Sequence, residues 1–274
     1  MAQGMLSVMR FTCCLLACAL GYAQEPRNPE GGRDTGEGRA IHFVRFRKSA
    51  EAGAIYNAAW RALEPHLVDL GRHRLVDFDG DPERARAYFA EAKDVALVVA
   101  FGAEAAAAAR ALPPHPPVLE VSESPTADVV LRVDREKLAV LVKLLRAQAK
   151  VALFGPADEK LADLETRRCA TAADARGSDV AWVSEGGTLP EGLTIPVVTT
   201  AVDVPATLTV RPDPASAGLK VAALVVGKLR DGREFTPQKV ARLHVAVDLG
   251  PTPSTGAGID LKLLAHADAV RREQ

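Results

Sequence analysis

One turn in the sequence combines the residue types that bind an anionic or polar group. Val95–Phe101 is an unbroken, valine-rich apolar run of strand length, and Gly102 ends it. Residues 103–112 are almost pure alanine, with Glu104 in the first turn. The stretch therefore predicts a buried strand, a glycine turn and a helix, whose first N–H groups lack intrahelical partners and attract anions. The alternative is that Gly102 only permits a tight turn in a core unit.

Side chains for covalent or metal chemistry form no recognisable motif. The sequence has no His-x-x-x-His, Cys-x-x-Cys or Gly-x-Ser-x-Gly pattern, and neither His244 nor His266 has a partner at ligand spacing. Residues 254–258, STGAG, follow a predicted strand but lack the lysine of a phosphate loop, so they indicate a turn. We therefore expect no metal, no cofactor and no enzymatic activity.

The composition is typical of a globular protein. The 274 residues suffice for one large or two ordinary domains, and 48% of them are hydrophobic and 25% charged. The net charge of −1 gives no general attraction to nucleic acid or anionic membranes. An aromatic content of 5% offers no platform for stacking bases. We therefore expect no nucleic-acid partner.

The N-terminal segment has the features of an export signal. Arg10 precedes the short apolar run 11–20, which is followed by small residues up to Ala23, and this order is typical of a secretory signal peptide. The run is too short to span a bilayer as a helix. We predict that residues 1–23 are a signal peptide, that residues 24–39 are a flexible linker, and that the protein is located in the periplasm or cell envelope.

The cysteines leave two modes of export open. Residues 15–18, Leu-Leu-Ala-Cys, resemble a bacterial lipobox in which Cys18 is acylated, so a lipid anchor is the only membrane contact that we expect. Ordinary cleavage after Ala23 is the alternative. Beyond the signal segment only Cys169 is left. A single thiol forms no internal disulfide, and we expect a small buried residue.

Strand and helix patterns alternate from residue 40 onward, which predicts an α/β fold with parallel strands. The predicted strands are residues 40–45, 75–78, 95–101, 118–121, 150–154, 179–183, 195–199, 206–210 and 242–247. The predicted helices are residues 54–70 with a kink at Pro65, 82–92 behind an Asp81 cap, 103–112, 135–148, 159–173 behind an Asp158 cap, 217–229 behind Asp213 or Ser216, and 259–270.

Several segments, taken in order, resemble a known family. They are Phe101-Gly102-Ala103, residues 211–218 (RPDPASAG), the helix 220–228 with paired alanines, 229–232 (LRDG), 243–249, 258–261 and 263–270. In this order they are similar to bacterial ABC-transporter substrate-binding proteins of the unclassified or aromatic-amino-acid-binding branch. The similarity runs from about Ile41 to the end of the chain.

The resemblance implies two Rossmann-like α/β lobes with a ligand cleft between them, the type 1 periplasmic-binding fold. Lobe 1 would be residues 40–127 plus 212–235, lobe 2 residues 128–211 plus 236–258, and residues 259–274 a C-terminal helix, with crossovers near Ala127, Arg211 and Phe235. By position in the family, the ligand-binding residues are Ser49, Phe101, Gly102, Ala103, Ser122, Ser124, Ser184, Thr199, Arg211 and Asp213.

Three of these residues have a specific chemical role in the hypothesis. Ser122 and Ser124 can donate hydroxyl hydrogen bonds to a ligand. Arg211 stands where the family crosses between lobes, and its guanidinium can bind a carboxylate with two N–H groups. The alternative for Arg211 is an ion pair with Asp213 or Glu185.

The second lobe departs from the family pattern. Gly155-Pro156-Ala157 offers no hydroxyl where members usually have a small polar residue. Residues 158–179 leave space for one helix, whereas the family usually has a helix, a strand and another helix. Residues 185–192 are too rich in glycine and proline to form a helix. We therefore expect a shortened second lobe.

The resemblance implies an exported solute-binding component of an ABC-type uptake system. Such a protein holds a small molecule, for example an amino acid or small organic acid, and delivers it to an ABC permease. Clamp closure needs no covalent chemistry, which fits the missing catalytic motifs. The alternative is a degenerate relative that acts as an interaction or sensor subunit in the cell envelope. An enzyme on a two-lobed scaffold is the least favoured hypothesis.

Overall fold

The computed structural model describes residues 40–66, 72–111, 115–156, 159–184, 186–201, 204–249 and 261–271. They all belong to one compact unit, Glu37–Gln274. The predicted signal peptide with Cys18, the predicted linker, and the residues Asp158 and Glu185 lie outside the described part of the chain.

Strands and helices alternate along the chain. The strands are β1 (Ala40–Arg45), β2 (His73–Asp77), β3 (Val95–Phe101), β4 (Val118–Ser122), β5 (Val129–Val130), β6 (Val151–Phe154), β7 (Thr166–Arg168), β8 (Val180–Val183), β9 (Val197–Thr199), β10 (Leu208–Pro212), β11 (Gln238–Lys239), β12 (Leu243–Asp248) and β13 (Ala269–Arg271). The helices are α1 (Ala50–Leu63), which continues into a 3-10 turn at Glu64–His66, α2 (Pro82–Glu91), α3 (Ala103–Arg110), α4 (Arg135–Leu145), α5 (Pro214–Asp231) and α6 (Leu261–Ala265).

The first lobe is a parallel sheet between two helix layers. Its strand order is β11-β5-β4-β3-β1-β2, and the apolar run of β3 is buried on both faces, as the sequence predicts. Leu97 points to the side where Ile55 of α1 and Val221 of α5 pack. Its neighbour Val98 points to the opposite side, where Ala105 of α3 packs, because successive side chains alternate across a strand.

The second lobe has helices on one face of its sheet. Its strand order is β13-β12-β10-β9-β8-β6-β7, with β12 antiparallel to β10. Leu138 of α4 and Leu263 of α6 pack with Trp182 of β8 on one face. On the other face, Phe154 is packed with loop residues such as Leu193, and no helix contributes to this cluster within the described residues. The expectation of a shortened second lobe agrees with this one-sided packing.

One predicted helix in the second lobe is wrong, and another is shorter than predicted. Residues 159–173 contain no α-helix. There the Asp174 carboxylate accepts hydrogen bonds from the backbone N–H groups of Ala170 and Thr171, a local pairing that competes with helix formation, and β7 pairs with the free edge of β6. The predicted C-terminal helix is shorter than expected, because α6 ends at Ala265 and the chain then forms β13 beside β12.

The helix predicted at residues 54–70 also has other bounds. It begins at Ala50, behind the Ser49 cap, and its α-helical part ends at Leu63. Pro65 stands in the 3-10 turn that follows, since proline clashes with a preceding helical turn and lacks an N–H.

The chain passes between the two sheets three times. These passages are residues 131–134 between β5 and α4, Asp213 between β10 and α5, and residues 240–242 between β11 and β12. The short strands β5 and β11 pair with each other in the first sheet. The first and third passages therefore come a few residues later than the expected positions near Ala127 and Phe235.

Candidate functional site

The carboxyl ends of the parallel strands frame one cleft. In the first lobe β4, β3 and β1 are neighbours, so the segments that follow them begin side by side at Glu123, Gly102 and Phe46. In the second lobe β8, β9 and β10 are also neighbours. β8 ends directly before Ser184, β9 directly before Thr200, and β10 at Pro212. Open α/β sheets bind their ligands beyond these strand ends.

The turn after β3 has the geometry that the sequence predicts. Gly102 has a φ of 96°, which is costly for residues with a side chain, and its N–H donates to Val121 O at 2.9 Å. Helix α3 begins at Ala103 without a side-chain cap, so its first N–H groups can meet a ligand. Phe101 lies in the first-lobe core, where its ring stacks on Phe43 with centroids 6.3 Å apart.

The serine hydroxyls after β4 have partners inside the first lobe. Ser122 Oγ donates to Glu120 Oε1 at 2.7 Å, and Glu120 forms an ion pair with Arg110 at 2.8 Å. Ser124 Oγ shares a 2.8 Å hydrogen bond with Thr126 Oγ1. These hydroxyls hold the loop in shape, and a ligand would have to compete with internal partners for them.

Two further predicted residues are helix caps. Ser49 Oγ accepts a hydrogen bond from the N–H of Ala52 at 2.9 Å and begins α1. The Asp213 carboxylate accepts from the N–H of Ser216 at 3.1 Å and begins α5. Caps of this kind contribute about 1 kcal/mol to helix stability, so both residues have a structural role at the cleft.

Of the two predicted site hydroxyls in the second lobe, one has hydrogen-bond partners and the other has none among the described residues. Thr199 is fully buried, and its Oγ1 donates to Val183 O at 3.1 Å and accepts from the N–H of Ala201 at 3.0 Å. Ser184 is 1% exposed, and its Oγ has no hydrogen-bond partner among the described residues. Ser184 Oγ occupies the space where a Cβ on Gly155 would stand. Ser184 thus places a hydroxyl beside the loop that begins with Gly155 and Pro156, which carries no hydroxyl of its own.

Arg211 keeps part of its hydrogen-bonding capacity free. Its Nη2 donates to Ala201 O at 3.0 Å, while Nε is buried and has no partner within the described chain. Asp213 is one of the two ion-pair partners that the alternative interpretation gave Arg211. Its Oδ2 instead lies 3.5 Å from Arg242 Nε. Leaving a buried donor unpaired costs about 1–3 kcal/mol, so the arrangement favours an additional acceptor near Arg211.

Sequence reasoning missed three glutamates at the cleft. They are Glu51 in the first turn of α1, Glu123 after β4 and Glu159 beyond β6. Burial, and next the negative charges of Glu51 and Glu159, raise the pKa of Glu123 to about 7, although Arg132 opposes the shift. Burial also raises the pKa of Glu51, against the opposing charge of Arg211. The only sequence signal was position, because Glu123 stands between the predicted site residues Ser122 and Ser124, and Glu51 comes two residues after Ser49.

An open groove of about 650 Å³ lies at the ends of β6, β7 and β8. Its lining includes Gly155, Gly186 and Gly187 together with Arg168 and Asp174. Small-molecule sites commonly have a volume of about 300–1,000 Å³, so the groove is large enough for a metabolite. Cys169, buried as expected, borders the same groove.

No group of three or more metal-ligating side chains occurs in the part of the chain that the structure describes. Among the same residues, no helix has the length and apolar character needed to cross a bilayer.

Comparison with solved structures shows the fold. No model of a protein family matches the chain, and no curated protein is similar to it in sequence. For each of three similar structures, the alignment covers 86% of this chain and 100% of the other protein's chain. They are a conserved domain protein from Vibrio cholerae (14% identity, TM-score 0.61), an ABC domain in complex with L-Trp from Streptococcus pneumonia (15%, 0.62), and a ligand-free, open substrate-binding protein with adhesive properties from Clostridium difficile (14%, 0.60). The chain has the type 1 periplasmic-binding fold, with two Rossmann-like lobes and a cleft between them.

Proposed function

We propose that this protein is the exported solute-binding component of an ABC-type uptake system. It binds a small molecule, such as an amino acid or small organic acid, between its lobes and presents it to an ABC permease. The observation that carries the proposal is Arg211, which stands next to a lobe crossover with a buried Nε that has no hydrogen-bond partner among the described residues. An unsatisfied guanidinium at a cleft is well suited to a carboxylate.

In this mechanism the ligand links groups from both lobes. The first N–H groups of α3, behind Gly102, meet an anionic or polar atom from the first lobe. Arg211 and the hydroxyl of Ser184 approach from the second lobe. A ligand that contacts both lobes binds the closed arrangement better than the open one, and therefore shifts the population toward closure. No step requires a covalent bond to form or break.

Ligand-dependent melting tests the proposal. A thermal-shift screen of amino acids and small organic acids should give at least one compound that raises the melting temperature, because ligand binding stabilises the native state by mass action. For that compound, Arg211→Ala should weaken binding by at least about tenfold, since truncating a desolvated charged pair costs about 2–5 kcal/mol. Arg86→Ala, which removes a guanidinium from an exposed ion pair on α2, is the matched control and should bind normally.

The packing of the second lobe favours a second candidate function. One face of its sheet is covered by loop residues such as Leu189 and Leu193, and no helix packs there within the described residues. A degenerate relative that acts as an interaction or sensor subunit in the envelope would not need a complete clamp. This candidate predicts that no compound in the screen raises the melting temperature, and that Arg211→Ala is without effect on partner binding.

A further inference from the structure

The sheet of the first lobe ends on a strand with an unpaired outer side. β2 is the last strand in the order β11-β5-β4-β3-β1-β2, and within the described residues it pairs with β1 alone. It is also the longest strand at any sheet edge, with five residues against two in β11 and three each in β7 and β13. Proteins usually protect such an edge with a proline, a bulge or a covering segment. β2 contains no proline, and its register with β1 is unbroken.

The backbone of β2 presents donors and acceptors along this outer side. Just beyond the strand, the N–H of Phe78 donates to Arg45 O of β1 at 3.1 Å. Successive residues of a strand direct their backbone groups to opposite sides in a parallel ladder. Phe78 and every second residue before it therefore face β1, whereas His73, Leu75 and Asp77 face outward. No backbone or side-chain group of the described residues bonds to the N–H or C=O groups of these three.

Side chains suited to a protein interface flank the edge on both faces of the sheet. On one face Trp60 of α1 stacks on His73 with ring centroids 3.3 Å apart, and Leu75 packs beside them against the core. On the other face the guanidinium of Arg74 lies 5.9 Å from the ring centroid of Tyr88. Arg74 is exposed and the other four are only partly covered. Tyrosine, tryptophan and arginine are enriched where proteins associate.

We propose that two copies of this chain associate through β2, as antiparallel strands about a two-fold axis at Leu75, so that two first-lobe sheets become one. In this register the sequence of β2 is complementary to itself. His73 is opposite Asp77 of the second copy, Arg74 is opposite Val76, and Leu75 is opposite Leu75. The outward-facing residues are opposite each other, so each such pair exchanges two N–H···O hydrogen bonds.

Charge and length both select this register. A shift by one position toward the amino end of β2 places Arg74 opposite Arg74 of the second copy, and like charges in that position are destabilising. A shift by one position the other way leaves His73 opposite Asp79, which lies beyond the end of the strand. The axis at Leu75 pairs all five strand residues and sets no like charges opposite each other.

A disulfide cross-link tests the axis directly. In a hydrogen-bonded antiparallel pair the two Cα atoms are about 5.5 Å apart, which is within disulfide range. Leu75→Cys should therefore give a covalent dimer when the purified protein is oxidised with diamide. Arg86→Cys, at an exposed position on α2, is the control, and the unmodified chain shows the background from its four native cysteines. A cross-linked fraction of Leu75→Cys no higher than in these two proteins would overturn the inference.

A pair of charge variants then tests the register in solution. His73→Asp and His73→Lys both remove the ring that stacks on Trp60, so they share this cost to folding. They differ in the charge placed opposite Asp77 of the second copy, twice in each dimer. Sedimentation should give His73→Asp a dissociation constant about tenfold above that of His73→Lys.

The unmodified protein should sediment as a concentration-dependent dimer. A monomer at every concentration would overturn the inference, and so would equal dissociation constants for the two His73 variants. No ligand enters either experiment, so their failure would leave the proposed solute-binding function untouched.

Discussion

At residue scale, a single buried hydroxyl determines which side chain position 155 can accept. Ser184 Oγ fills the space over Gly155, so Gly155→Ala forces a clash and should lower the free energy of unfolding by about 1–3 kcal/mol. Ser184→Ala deletes a hydroxyl that has no partner within the described residues and should be neutral or stabilising. The double variant should be more stable than Gly155→Ala alone, because the two positions share one space. Denaturant unfolding measures all three proteins, and strictly additive effects would contradict this packing.

The raised pKa of Glu123 predicts a pH-dependent stability. Its carboxyl has a folded pKa of about 7 against an ordinary value of 4.5, so the native state binds more protons than the unfolded state between these values. Stability should therefore fall as pH rises from 4.5 through 7. Glu123→Gln should flatten this part of the profile of melting temperature against pH. Glu136→Gln, at an exposed position in the first turn of α4, should retain the slope, and an identical slope in both variants would exclude Glu123 as its source.

The candidate residues show which parts of a site can be read from sequence. The Gly102 turn could be predicted because strand, glycine and alanine helix are local signals. The engagement of Ser122 with Glu120 could not, because the Arg110–Glu120 ion pair that organises it depends on the packing of α3 against β4. The carboxylate neighbours of Glu123 were also hidden, since they come from distant parts of the chain.

At the scale of elements, one close helix contact fixes the position of α5 in the first lobe. A Cβ on Gly218 would stand 2.5 Å from Ala58 Cβ and 2.6 Å from Ala59 N in α1. Gly218→Ala should therefore destabilise the protein by about 1–3 kcal/mol through overpacking. Gly227→Ala in the same helix meets only Arg233 Cδ at 3.8 Å, so it should add about 0.5–1 kcal/mol through helix propensity. Thermal and denaturant unfolding compare the two, and a stable Gly218→Ala protein would contradict the contact.

Local patterns predicted several elements correctly where no distant pairing competed with them. The bounds of β1 and β3 agree with the sequence prediction. The helix prediction for residues 159–173 failed because β7 in this segment pairs with the edge of β6, about 15 residues away along the chain. The helix prediction around Ala269 failed for the same reason, because β13 pairs there with β12. Tertiary strand pairing competes with the helix in both cases, and the local hydrogen bonds of Asp174 add to it in the first, so helix propensity alone could not reveal the outcome.

At the scale of the whole molecule, the passages between lobes are tied to one another. Asp134, the cap of α4, forms a 3.1 Å ion pair with Lys239 of β11, and Lys137 Nζ donates to Ala241 O at 2.7 Å. The N–H of Asp213 donates to Arg242 O at 2.9 Å. These contacts join the three crossover segments into one connection. A ligand that draws the lobes together would therefore have to deform the three crossover segments together, because they are bonded to one another.

Export is the remaining prediction at this scale, and it is made from sequence alone. Arg10, the apolar run 11–20 and the small residues up to Ala23 should direct the chain out of the cytosol. Intact-mass analysis of protein from a bacterial host should show loss of the N-terminal residues. If Cys18 is acylated, the protein should fractionate with membranes and Cys18→Ser should release it, because burying acyl chains in the bilayer supplies the anchoring free energy. Full-length protein recovered from the cytosol would contradict export in either form.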